Sequence, residues 1–94
     1  MNHDLDGLTP QEQALLGCWE GFHGASRVSY RFNTDRGIDS TLEDGTFRQG
    51  TYTAGQNMME LDFGKPARHR IFLTTGTISY VDEPGQLTRQ TCGG

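Results

Sequence analysis

Arg27-Val28-Ser29-Tyr30-Arg31-Phe32-Asn33, running at once into Thr34-Asp35-Arg36-Gly37, is the stretch that decides the fold. On an extended chain Val28, Tyr30 and Phe32 fall on one side and Arg27, Ser29, Arg31 and Asn33 on the other, the two-residue period of a half-buried strand. The Asp and Gly that follow are residues that stabilise a tight turn. The same texture spreads in both directions, with turns at His23-Gly24-Ala25-Ser26, Asp44-Gly45, Ala54-Gly55-Gln56, Gly64-Lys65-Pro66, Thr75-Gly76 and Pro84-Gly85. Seven turns, about ten residues apart, separate eight short segments. Loops of this length leave no room for crossover helices, so neighbours in sequence pair antiparallel as a meander.

Other segments alternate likewise. Met59, Leu61 and Phe63 oppose Met58, Glu60 and Asp62; Ile71 and Leu73 go with His69 against Arg68, Arg70 and Phe72; Ile78 shares a face with Tyr80, and Leu87 with Arg89. Between Thr46 and Thr53 the parity breaks, and a bulge at Gly50 would bring Phe47 and Tyr52 to one side. The expected inward set is therefore Trp19, Val28, Tyr30, Phe32, Phe47, Tyr52, Met59, Leu61, Phe63, Ile71, Leu73, Ile78 and Tyr80.

Only one short helix is available to cover these apolar faces. Thr9-Pro10-Gln11-Glu12 is a capping box with proline at the first helical position, and Gly17 is a natural stop. The strands must therefore cover one another, and closing into a barrel also removes exposed edges. The predicted fold is all-β: an eight-stranded antiparallel meander barrel preceded by one short N-terminal helix. It forms a single domain over residues 1–94, with an acidic head at residues 1–8.

Charge narrows the function. The net charge of −4 resides in the first twenty residues, where Asp4, Asp6, Glu12 and Glu20 are accompanied by no Lys or Arg, while the rest balances eight acids with eight bases. This excludes a nucleic-acid binder that works by neutralising phosphates. No apolar run approaches the roughly 18 residues of a membrane span. The N-terminus has no basic n-region followed by an apolar h-region, which points to a cytoplasmic chain with reduced thiols; removal of a signal would make it periplasmic and favour a bridge.

Gly17-Cys18-Trp19 opens the first strand directly after the helical turn, and Arg89 lies in the last strand. In these features the chain resembles the lipocalins and the wider calycin group. The resemblance implies that Trp19 closes the barrel floor, that Arg89 packs across it, and that the barrel binds a small molecule. The chain is shorter than a typical lipocalin, has no long loop between its first two strands and no C-terminal helix, and Arg89 is not followed by the Arg-x-Tyr pattern of fatty-acid-binding proteins. Parity and closure then place the two cysteines. With Trp19 inward, Cys18 points outward; with Leu87 and Arg89 inward, so does Cys92. The register that sets Cys18 opposite Cys92 also leaves Arg89 diagonal to Trp19, within reach of a disulfide.

No catalytic motif emerges. Asn2-x-Asp4-x-Asp6-Gly7 copies the first half of a calcium loop, but Gln13 stands where the bidentate Glu belongs. His3, His23 and His69 have no Cys or acidic partner at ligand spacing, so His69 reads as a core histidine and no metal or haem site is expected. Lys65, Arg68 and Arg70, around the Gly64–Pro66 turn, could bind an anion, but the preferred reading is that their charges protect an edge strand. Ser26, Ser29, Ser40 and Ser79 belong to no triad; Asp62, Asp82 and Glu83 could form a carboxylate pair across a barrel mouth, but the preferred reading is of solvated acids flanking turns.

The expectation is a non-catalytic binding protein without cofactor. An eight-stranded barrel has room for its own side chains or one small ligand, so the site is a shallow mouth for a small apolar or aromatic molecule. Tyr30, Phe32, Phe47, Tyr52, Met59, His69 and Tyr80 are the candidate ligand contacts. The alternative is an interaction, inhibitor or accessory module with a filled core, a homo-oligomer joined through outward Met58 and Phe72.

Overall fold

The structure is a computed structural model and describes residues 8–92. Most of the acidic head, the Asn2–Gly7 half-loop and His3 lie outside the described residues. A six-residue helix, α1 (Pro10–Leu15), precedes eight strands: β1 (Gly17–His23), β2 (Ser26–Phe32), β3 (Gly37–Leu42), β4 (Phe47–Gly55), β5 (Met58–Asp62), β6 (Pro66–Thr74), β7 (Thr77–Tyr80) and β8 (Gly85–Gln90). Each strand pairs with its neighbours in sequence, and β1 pairs antiparallel with β8, so the sheet closes on itself. This architecture is compatible with a calycin-like fold. Among the described residues no helix is long and apolar enough to cross a membrane.

The turns use the predicted chemistry. Asp35, Asp44 and Asp62 each accept a hydrogen bond from the backbone N–H two residues on, at 2.8, 2.9 and 2.8 Å. Inside, Trp19, Val28, Tyr30, Phe32, Tyr52, Met59, Leu61, Ile71, Ile78, Tyr80 and Leu87 are buried, joined by Ile38 and Ala54. Phe63 and Leu73 pack against this cluster half-buried.

Phe47 departs from expectation. It is 59% exposed, because β4 carries no bulge at Gly50. The β3–β4 ladder runs in unbroken register from Gly37↔Thr51 to Thr41↔Phe47, so Tyr52, Gly50 and Arg48 share the inner side and Phe47 points out. Gly50 serves close approach instead: a Cβ there would lie 2.0 Å from the Asp62 carbonyl oxygen. Gly21 on β1 is equally crowded, with a Cβ falling 2.0 Å from the Gln86 carbonyl. Two inward glycines thus let strands coil tightly enough to close a small barrel.

The expected edge-strand role of Lys65, Arg68 and Arg70 is also corrected, since a closed barrel has no edge for them to protect. Arg68 pairs instead with Glu60 directly across the β5–β6 ladder at 3.0 Å, and Arg70 with Asp82 at 3.4 Å.

Closure follows a register two residues from the expected one. Trp19 faces Arg89 directly, and Cys18 faces Gln90. Arg89 explains the slide: its guanidinium lies 4.4 Å from the indole centroid and donates to the carbonyls of Leu16 (2.7 Å) and Ala14 (2.8 Å) at the end of α1. Cys92 falls just past β8. A two-residue slide preserves parity, so it still reaches Cys18, with a Cα–Cα distance of 5.3 Å, in a disulfide rather than as a free thiol. A bridge spanning 74 residues contributes about 4–5 kcal/mol through loop-closure entropy.

α1 plugs one end of the barrel. Thr9 and Glu12 form the predicted capping box, and the Trp19 indole N–H donates to the Leu15 carbonyl at 2.8 Å. Glu12 is buried and does more than cap. Its carboxylate accepts from the Thr9 N–H (2.9 Å), the Ala54 N–H of β4 (2.9 Å) and the Arg36 guanidinium (2.8 Å). One side chain therefore ties the helix to two parts of the wall. Burial alone would raise the Glu12 pKa, but these hydrogen bonds outweigh it and hold the group below its ordinary 4.5.

Because the folded value is the lower one, the stabilisation from Glu12 is fully present above about pH 4.5 and is lost as pH falls through the folded value. Glu12→Gln is expected to cost about 1.5–3 kcal/mol at neutral pH. It should also flatten the decline of the urea midpoint in acid relative to wild type; parallel midpoint–pH curves for the two proteins would contradict this account.

Candidate functional site

The two ends of the barrel differ in kind. At the end covered by α1, side-chain hydrogen bonds are made internally. The opposite end gathers the β1–β2, β3–β4, β5–β6 and β7–β8 turns and carries an open cavity of about 310 Å³. His23, Tyr30, Arg48, Leu61, Phe63, Lys65, Ala67 and His69 line it.

Tyr30 and Phe63 form an aromatic wall, their rings near-parallel with centroids 6.4 Å apart. Arg48 lies with its guanidinium carbon 4.4 Å from the Phe63 centroid, and among the described residues neither Arg48 nor Lys65 has a carboxylate partner. Tyr30, Ser40 and Arg48 occupy one cross-strand row over β2, β3 and β4. The Ser40 hydroxyl is buried with no hydrogen-bond partner among the described residues. The Tyr80 hydroxyl is buried as well and interacts with that of Tyr30. Burial pushes both phenols above the ordinary tyrosine range, Tyr80 far above it. Buried polar groups are normally satisfied, and the Ser40 hydroxyl is an exception.

On the other side of the mouth stand His23, His69 and Glu83. The Glu83 carboxylate meets His23 Nε2 with one oxygen and His69 Nδ1, at 3.2 Å, with the other. The two imidazoles lie edge to face with centroids 5.0 Å apart, and Tyr80 stacks on His23 at 4.6 Å. His69 is largely buried; His23 and Glu83 are about one-third exposed. His23 ends β1, His69 lies in β6, and Glu83 belongs to the β7–β8 turn. That turn is pinned at both ends, by Val81 N–H donating to the Arg70 carbonyl (2.9 Å) and Gly24 N–H donating to the Pro84 carbonyl (2.7 Å). Burial pulls the His23 pKa below 6.5; the Glu83 charge opposes this, and His69 adds to the lowering.

The expected ligand contacts separate. Tyr30 and His69 line the mouth, and Tyr80 is buried against His23 and His69. Phe32, Tyr52 and Met59 are buried in the packed interior, Phe32 edge-on to Tyr52 at 4.8 Å. The Tyr52 hydroxyl donates to the Asn33 carbonyl at 2.8 Å in the β2–β3 loop, at the helix-covered end. Burial, with the nearby Glu12 charge, pushes its pKa up to about 12. Phe47 is on the outer wall. The expectation that no histidine has an acidic partner is corrected, as Glu83 serves two of them.

Two mouth features were missed in the sequence. Arg48 was turned outward by the supposed Gly50 bulge, although plain alternation through Tyr52, Gly50 and Arg48 carries the right signal. Glu83 is 60 residues from His23 and 14 from His69, a spacing no local motif covers. Closure of the meander was the available clue, since it makes the β1–β2 and β7–β8 turns neighbours.

Comparison with known protein families and with curated proteins finds no match to this sequence.

The His23 imidazole should titrate below pH 6.5 by NMR. In Glu83→Gln its midpoint should fall further, because the charge that opposes desolvation is gone. An upward shift in that variant would mean that Glu83 does not act on His23.

Proposed function

We propose that this protein is a lipocalin-like, non-catalytic binder of a small aromatic molecule bearing an anionic group, taken at the open mouth. The observation that carries the reading is the pairing of an aromatic wall, Tyr30 and Phe63, with two cations, Arg48 and Lys65, that lack carboxylate partners among the described residues. Aromatic faces hold a flat apolar body, and guanidinium holds a carboxylate or phosphate through directed hydrogen bonds. A filled interior and a mouth of about 310 Å³ limit the ligand to the small end of the usual range.

2-Naphthoate and its uncharged amide, titrated separately and followed by amide NMR, test this. The carboxylate should bind more tightly, with shifts confined to β2, β4 and the β5–β6 turn, and Arg48→Gln should weaken it about tenfold, equivalent to about 1.4 kcal/mol. Equal binding of acid and amide, or shifts on the outer wall, would remove the basis of the reading.

The outer wall supports a second reading as an interaction module. Phe72 is 59% and Met58 37% exposed, and the β5–β6 register makes them diagonal neighbours on one face. Such a face joins two copies if it is an interface. Sedimentation at micromolar concentration should then show a dimer that Phe72→Ser dissociates; a single 10.4 kDa species in the wild type removes this reading.

A further inference from the structure

We infer that His23, His69 and Glu83 form a binding site for zinc(II) or a similar borderline divalent cation at the rim of the mouth. The inference rests on these three side chains alone and not on the organic ligand proposed above.

One donor atom from each residue lies within 4.8 Å of the others. A tetrahedral zinc ion with bonds of about 2.0–2.1 Å sets its donors about 3.4 Å apart, so the set is completed when the widest donor pair closes by about 1.4 Å at most, while His23 Nε2 and Glu83, now in direct contact, part to admit the ion. Two imidazoles and one carboxylate form a donor set that zinc accepts, and hard cations such as magnesium and calcium prefer oxygen alone.

The backbone holds the donors in place from three directions. His23 is fixed by the β1–β8 ladder, where it faces Gly85, and His69 by its pairing with Met59 on β5. Glu83 is held by the two hydrogen bonds that pin its turn to Arg70 and Gly24. Tyr80 stacks on the His23 ring and meets the His69 ring edge-on at 5.5 Å, which restricts both imidazoles. Such support orients metal ligands before the ion arrives. Three protein donors leave a fourth position, and His23 and His69 both line the cavity, so that position is accessible from the mouth. A water molecule or an anionic group would complete the coordination there.

The test is calorimetric titration of the metal-free, disulfide-intact full chain with zinc chloride alone. The expected result is one zinc per chain, with affinity at least about 100-fold weaker in His69→Ala and in Glu83→Gln, beyond what loss of an outer hydrogen bond costs. His3→Ala should bind as wild type does. Absence of binding, unchanged affinity in both site variants, or a loss caused by His3→Ala overturns the site. Should the site variants fail to fold, X-ray absorption of the zinc-loaded wild type decides: two imidazoles in the coordination shell support the assignment, and fewer than two refute it. Because no organic molecule is present, failure here leaves the carboxylate titration of the previous subsection unaffected.

Discussion

Everything in this molecule depends on the pairing of its first and last strands. Without the β1–β8 ladder, eight short strands would leave two open edges and an apolar face that a six-residue helix cannot cover. The ladder is locked at one end by Arg89, whose single guanidinium covers Trp19 and satisfies two carbonyls at the close of α1. Helix termini carry carbonyls without intrahelical partners, so the same contact that closes the barrel also finishes its plug. The disulfide secures the strand end just beyond. At its other end, the ladder brings His23 alongside the β7–β8 turn and Glu83.

The two ends of the barrel use their polar groups differently. At the helix-covered end, Glu12 accepts from the helix cap, the β4 backbone and Arg36, and Tyr52 and Trp19 each donate to a carbonyl. The polar groups there are consumed by the fold. At the open end, Arg48 and Lys65 lack acidic partners among the described residues, and two histidines converge on one carboxylate. The interior between is packed with Trp19, Phe32, Tyr52 and Met59, which leaves the open cavity at the rim rather than deep in the barrel.

The amino-acid sequence by itself determined the number of strands, their order and the helix that caps them. These depend on local rules: a two-residue apolar period, turn residues that favour tight reversals, and a capping box whose partners are three residues apart. The meander topology follows, because short loops allow antiparallel neighbours and little else. Tertiary structure decided what depends on exact register. The slide that sets Arg89 opposite Trp19 is a choice between alternatives of equal parity, and the contacts of Arg89 with α1 select it. At Gly50 the sequence allows either a bulge or a close strand crossing, and only the approach of Asp62 distinguishes them, turning Arg48 in and Phe47 out. The cluster of His23, His69 and Glu83 lies furthest from local reading, since its members meet only once the barrel is closed and no periodicity encodes a contact between three different turns and strands.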